Sequence, residues 1–109
     1  MELDDHLSSA GVVVDVRAAR PGDLEAPAIL RERLRALAAK GYNVILLNLA
    51  DVVYIDSVLL GAIVQAYVAT IRSGGTFTLL NVPKRMRELL RITKLDRIID
   101  TSDREPPRV

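Results

Sequence analysis

In the stretch YIDSVLLGAIVQAY (Tyr54 to Tyr67) an acid and a serine stand directly in front of an apolar run. Three kinds of chemistry use that pair. The acid can be a helix N-cap, because its carboxylate accepts an otherwise unpaired helical N–H. Ser57 is then the first helical residue, with its hydroxyl at the surface beside the positive end of the helix dipole, where a phosphate could be accepted. A hydrolase is the third option, with Ser57, His6 and Asp56 as its triad. Neighbouring residues at one helix start cannot supply both a nucleophile and the acid that orients its base, and no Gly-x-Ser-x-Gly elbow is present. The chain is therefore expected not to be an enzyme.

The residues after the serine favour a binding surface. Val58 and Leu59 fall outside the expected buried stripe of this helix, so apolar groups are expected to flank Ser57 on the outside. Gly61 lies one turn further along that side, where glycine costs about 1 kcal/mol relative to alanine. A helix that gives up stability there suits close approach of a partner.

Other candidate sites are weaker. There are no cysteines, which removes disulfides, thiolate metal sites and cysteine catalysis. Gly74-Gly75 is followed by neither a lysine nor a helix, so it reads as a helix stop and not a phosphate loop. Lys84, Arg85, Arg87, Arg91, Lys94 and Arg97 read as the solvated face of an amphipathic helix, with a contact to an acidic partner as the alternative. No metal or cofactor is expected.

The elements that must position Ser57 follow from periodicity. Glu2 to His6 is a possible short first strand. In Gly11 to Arg17, Val12, Val14 and Val16 line one face while Val13, Asp15 and Arg17 share the other, which predicts a half-buried strand. Pro21-Gly22 signals a turn, and Pro27 suits the first turn of a helix carrying Ile29, Leu30, Leu34, Leu37 and Ala38 up to a stop at Gly41. Asn43 to Leu49 is almost continuously apolar, as a central strand covered on both faces would be. The helix capped by Asp56 runs to about Ser73, with Leu60, Ile63, Val64, Tyr67, Val68 and Ile71 expected inward. Thr76 to Val82 is a strand, Pro83 opens a helix carrying Met86, Leu89 and Leu90, and Arg97 to Asp100 is a last short strand. Residues 100–109 are expected to form an irregular tail. Alternating strands and helices imply an α/β domain with a mostly parallel sheet of four to five strands.

Composition sets limits on partners. The 109 residues are half hydrophobic, with three tyrosines and one phenylalanine as the only aromatics, so the core must be aliphatic. A formal charge of +1 gives no field for nucleic acid or an anionic membrane. No apolar run approaches the roughly 20 residues of a membrane span, and the acidic start is unlike a signal peptide. A cytoplasmic domain is expected. Oligomeric state is not legible.

The stretch VILLNLADVVYIDSVLLGAIVQAYVATIRSGGTFTLLNV (Val44 to Val82) resembles the central part of the STAS domain, the fold of bacterial anti-sigma factor antagonists. In that family an apolar strand leads to Asp-Ser-(Ser/Thr)-Gly-Leu-Gly at a helix start, then to a Gly-Gly stop, a strand and a Pro-initiated helix. The order matches from Val44 to about Leu95, and more loosely from Gly11. The family's phosphorylated serine falls on Ser57, its preceding aspartate on Asp56 and its second glycine on Gly61. Val58 stands where the family has a hydroxyl residue, and Leu59 replaces its first glycine. The Gly-x-Leu-Asp stretch that precedes the first helix in many members is poorly matched by RPGDLEAP, with Asp23 the nearest candidate.

The resemblance implies one STAS-like domain over residues 1–109 that binds a serine-kinase anti-sigma factor and is switched off by phosphorylation at Ser57. Its partner surface would comprise Asp23, Asp56, Ser57, Val58, Leu59 and Gly61. The alternative within the family is a scaffold domain in a multi-protein stress-signalling assembly, without a phosphate switch.

Overall fold

Handedness decides the layout of this chain. The computed structural model describes residues 1–109, with strands β1 (Glu2–Leu7), β2 (Val12–Arg17), β3 (Val44–Asn48), β4 (Thr76–Leu80) and β5 (Asp100–Ser102). The strands lie side by side in chain order. β1 is antiparallel to β2, and every later neighbouring pair is parallel. Each parallel step passes through a helix: α1 (Ala26–Ala39), α2 (Ser57–Arg72) and α3 (Lys84–Ile92). Such crossovers are right-handed. Three of them stepping in one direction put all three helices on one face of the sheet.

The main core lies between those layers. Val12, Val14 and Val16 of β2, Ile45 and Leu47 of β3, and Phe77 and Leu79 of β4 meet Leu30, Leu34 and Leu37 of α1, Ile63 of α2, and Met86 and Leu90 of α3. Tyr67 meets Phe77 edge to face, with ring centroids 6.2 Å apart. No helix is long and apolar enough to cross a membrane.

The opposite face has no helix, yet Val13, Leu46 and Leu80 are buried there. The chain after β5 explains this. It crosses that face towards β1, where the Ser9 amide donates to the Pro107 carbonyl at 2.9 Å and the Val109 amide to Leu7 at 3.2 Å. On the way, Asn48 Nδ2 donates to Glu105 Oε1 at 2.9 Å. The strand β2 is accordingly buried on both faces from Val12 to Val16, not half-buried as its alternation suggests.

The end of the chain also differs from expectation. Arg97 closes a short 3-10 turn (Leu95–Arg97), entered through a left-handed Lys94, and β5 begins only at Asp100. Ile99 is buried while Arg97 and Ile98 are exposed. Ile99 therefore marks a plug into the core and not the strand itself.

The two glycines after α2 do different work. Gly74 takes a left-handed φ of 82° that ends the helix. Gly75 allows close approach: a Cβ on it would lie 2.3 Å from the Asn43 carbonyl oxygen. That same oxygen accepts the Thr76 amide at 2.9 Å, where β4 starts against β3. Gly75→Ala is expected to destabilise the fold by about 1 to 3 kcal/mol, the usual range for overpacking. A denaturant midpoint equal to the parent's would refute this account of the junction.

Candidate partner-binding site

Right-handed crossovers bring the loops that leave β2 and β3 to the same end of the sheet, at the N-termini of α1 and α2. The β3–α2 loop is pinned by three buried side chains, Leu49, Val52 and Ile55. Its backbone is tied down as well, with the Leu49 amide donating to Leu80 and the Val52 amide to Leu49, both at 3.0 Å. Between the plugs the loop turns Val53 (95% exposed) and Tyr54 (46% exposed) outward. Leu24, at 83% exposure, projects from the neighbouring β2–α1 loop.

Asp56 joins the two loops. Its backbone is extended (φ −140°, ψ 179°), as an N-cap requires, and Oδ1 accepts the Leu59 amide at 2.9 Å. Its second oxygen, Oδ2, accepts the Gly22 amide at 2.6 Å, across 34 positions of sequence. Gly22 has a left-handed φ of 63°. These donors, Gly22 first and Leu59 next, hold the Asp56 carboxyl below its ordinary range, while the nearby charge of Asp23 opposes them. Asp23 is itself lowered, chiefly by the N-terminal ammonium of Met1 bonded at 2.8 Å.

Ser57 is exposed at the first position of α2, and the side-chain hydrogen bonds at this turn are made by Asp56. Asp23, Asp56, Val58 and Leu59 line one shallow hollow beside it, with Met1, Ala19, Arg20 and Ala26. The expected residues Asp23, Asp56, Ser57 and Val58 are thus brought together. Leu59 reaches that hollow but offers it almost no surface. It is 6% exposed and belongs to the core.

That correction rotates the whole helix. The buried residues of α2 are Leu59, Ala62, Ile63, Ala66 and Thr70, while Val68 and Ile71 are exposed and Leu60, Val64 and Tyr67 are half-buried. The helix is apolar nearly all round, so periodicity leaves its phase ambiguous. Close packing against α1 selects the small residues Ala62 and Ala66 for the inside, and the larger Val68 and Ile71 turn out. Gly61 is half-buried, and a Cβ there would meet nothing within 4 Å. Internal packing therefore does not demand glycine at this position.

The residues that sequence reasoning missed are Gly22, Leu24, Val53 and Tyr54. Pro21-Gly22 is legible as a turn, but a backbone donor aimed at a distant carboxylate leaves no pattern. The exposed apolar residues sit in loops, where neither helix nor strand periodicity marks them. His6 lies in β1 with Nδ1 3.8 Å from Asp15 Oδ2, on the sheet face away from the helices, so the Ser57-His6-Asp56 grouping does not form. Lys84, Arg85, Arg87, Arg91, Lys94 and Arg97 are all exposed, as a solvated face should be.

Comparisons with known proteins bear on the same residues. The model of the STAS domain family matches residues 8–106. A Thermotoga neapolitana homolog of TM1081, named as a candidate anti-sigma factor antagonist, is 47% identical over 64 residues, covering 59% of this chain and 57% of that protein. The match thus spans little more than half the length of that relative. The anti-sigma-B factor antagonist of Bacillus subtilis is 36% identical over 89 residues, 82% of this chain and 81% of that one. Among solved structures, the NMR structure of TM1081 superposes with a TM-score of 0.78 at 29% identity, covering 94% of this chain and 82% of that chain.

Two tests follow from the geometry. Leu59→Ala should cost about 2 to 4 kcal/mol as a core truncation. Gly61→Ala should raise stability by roughly 0.5 to 1 kcal/mol, since the new methyl meets open space in a helix. Urea titration of both variants decides the helix phase, and a harmless Leu59→Ala would overturn it.

The Asp56 bridge gives a pH signature. Its folded pKa lies below the ordinary 3.8 of an aspartate, so its contribution is present above the unfolded pKa and is lost as pH falls through the folded one. Asp56→Ala should lower the denaturant midpoint at pH 7, and the gap from the parent should close below about pH 4. A gap that stays constant down to pH 2.5 would show that the carboxylate's charge has no part in it.

Proposed function

Because the chain belongs to the STAS domain family, we propose that it is an anti-sigma factor antagonist-like binding switch. It binds a serine-kinase anti-sigma factor through the surface around the start of α2, and phosphorylation of Ser57 ends that binding. The observation that carries this reading is the exposed Ser57 at the first position of α2, next to the Asp56 bridge, with Val53, Tyr54 and Leu24 exposed in the two loops which that bridge joins. Three large exposed apolar side chains in two adjoining loops suit a protein surface better than a small-molecule site. The named function of the Bacillus subtilis relative supports the same class of partner. On this reading the protein acts in the cytoplasm and carries out no chemistry of its own.

The physics of the switch is an asymmetry between free and bound states. A phosphate on Ser57 adds about 1.5 to 2 negative charges beside Asp56. In the free domain it stands in water at the positive end of a 16-residue helix, which tolerates it. Under a partner packed over Val53 and Tyr54 it loses that water. Burying such a charge without cationic partners costs several kcal/mol. Gly61 on the adjoining turn keeps the approach to the hydroxyl open.

Incubation with a serine-kinase anti-sigma factor and ATP should place one phosphate on the chain, located at Ser57 by peptide mass spectrometry. Calorimetric titration should then show Ser57→Glu or the phosphorylated chain binding at least tenfold more weakly than the parent, about 1.4 kcal/mol or more. Circular dichroism should not change. Equal affinities would remove the switch and leave an unswitched scaffold domain.

A further inference from the structure

Helix α2 has a second apolar side that the chain itself leaves open. Ser57, Gly61, Val64, Val68 and Ile71 succeed one another at spacings of four, three, four and three, the repeat of a helix–helix seam. They lie on the side of α2 away from its buried residues. Ser57 is exposed, Gly61 and Val64 are half-buried, and Val68 and Ile71 are 36% and 45% exposed. α2 is the middle helix of its layer, because its crossover joins the central strand β3 to β4. The only charged residue in it is Arg72, at the last position. No ion pair in the chain includes that arginine. A helix apolar on every side is suited to burial on every side.

We propose that a second copy of this chain covers the seam, with the two α2 helices packed antiparallel about a two-fold axis between Val64 and Gln65. In that register α2 is complementary to itself. One midpoint relates Gly61 to Val68, Leu60 to Ala69, and Ser57 to Arg72. The first two pairs set a large side chain against a small one. Val68 of each copy enters the space at Gly61 of the other, where an added Cβ would meet nothing within 4 Å. The third pair matches charge. Arg72 of the second copy comes to the start of α2, where the carboxylates of Asp56 and Asp23 lie near each other. The two helix dipoles oppose one another in the same arrangement. A parallel pair would instead set Arg72 against Arg72 and leave a gap at paired Gly61. A strongly charged foreign partner finds no ion to pair with along the seam. The second copy thus adds a cation beside Ser57. Sixteen residues of helix give a contact about 24 Å long. One helix pair falls short of the roughly 1,200 Å2 of a stable interface, so the dimer is weak, with a Kd of about 10 to 300 μM.

Sedimentation equilibrium of the full chain, from about 5 μM to about 1 mM, should show a monomer–dimer equilibrium in that range. Val68→Lys should weaken it at least tenfold while the urea midpoint stays close to the parent's. If that variant fails to fold, Ile71→Lys makes the same test at a more exposed position. Register is read from charge. Ser57→Arg and Arg72→Glu should each weaken the dimer at least threefold, and the double variant should return to within about twofold of the parent. No kinase enters these measurements, so their outcome is independent of whether Ser57 is phosphorylated. Absence of a dimer up to about 1 mM, or a dimer that the lysine variants leave unchanged, would overturn the proposal. So would a double variant no tighter than the single ones, which is what a parallel pair gives.

Discussion

The handedness of the β–α–β crossover governs most of this molecule. With strands laid down in chain order, each right-handed step carries its helix over the same face, and the sheet acquires a helical side and a bare side. One consequence is local to the site. The segments leaving β2 and β3 emerge next to each other because those strands are neighbours, so Gly22 and Asp56 can meet although 34 positions separate them. A second consequence is remote from it. The bare side exposes Val13, Leu46 and Leu80, which the chain after β5 must cover, and the hydrogen bonds of residues 105–109 do that.

The Asp56 carboxylate then does two jobs with one charge. As a cap it begins α2 at a defined residue, which puts Ser57 at the first helical position. As an acceptor for Gly22 it sets where the β2–α1 loop sits relative to that residue. The buried plugs Leu49, Val52 and Ile55 hold the other side of the loop by apolar contact. Polar bridge and apolar plugs together leave Val53, Tyr54 and Leu24 exposed on a base that cannot easily rearrange. Binding residues carried on a loop but positioned by a rigid scaffold are the usual way such surfaces are built.

How much of this was legible in the sequence depends on whether the determinant is local. Strands β2, β3 and β4, the helix starts at Pro27, Asp56 and Pro83, and the Gly-Gly stop are local, and all lie within a few residues of where the pattern puts them. The phase of α2 is not local. A helix with apolar residues on every side is oriented by its neighbour, and α1 accepts Ala62 and Ala66 where a hydropathy stripe would put Val64 and Val68. Leu59 was misplaced for that reason, and with it one residue of the expected partner surface. The position of β5 failed similarly, since Ile99 is apolar to fill the core and not to pair with β4. Gly22 was invisible as a site residue because its contribution is a backbone N–H, which any residue but proline also carries.

The loss of Leu59 from the surface strengthens the physical case for where a partner would sit. With Leu59 committed to the core, the exposed apolar groups near Ser57 come from the two loops and not from the helix flank. A partner resting on Leu24, Val53 and Tyr54 would cover the head of α2 end-on, over its first unpaired N–H groups. That is where a phosphate is best tolerated in the free chain, through the dipole and the exposed amides, and where a covering apolar surface would tolerate it least. A flank-on partner would leave the same phosphate partly in water and lose little affinity. The end-on geometry therefore gives a single charged group the larger leverage over binding while asking nothing of the fold, whose core lies on the far side of Asp56.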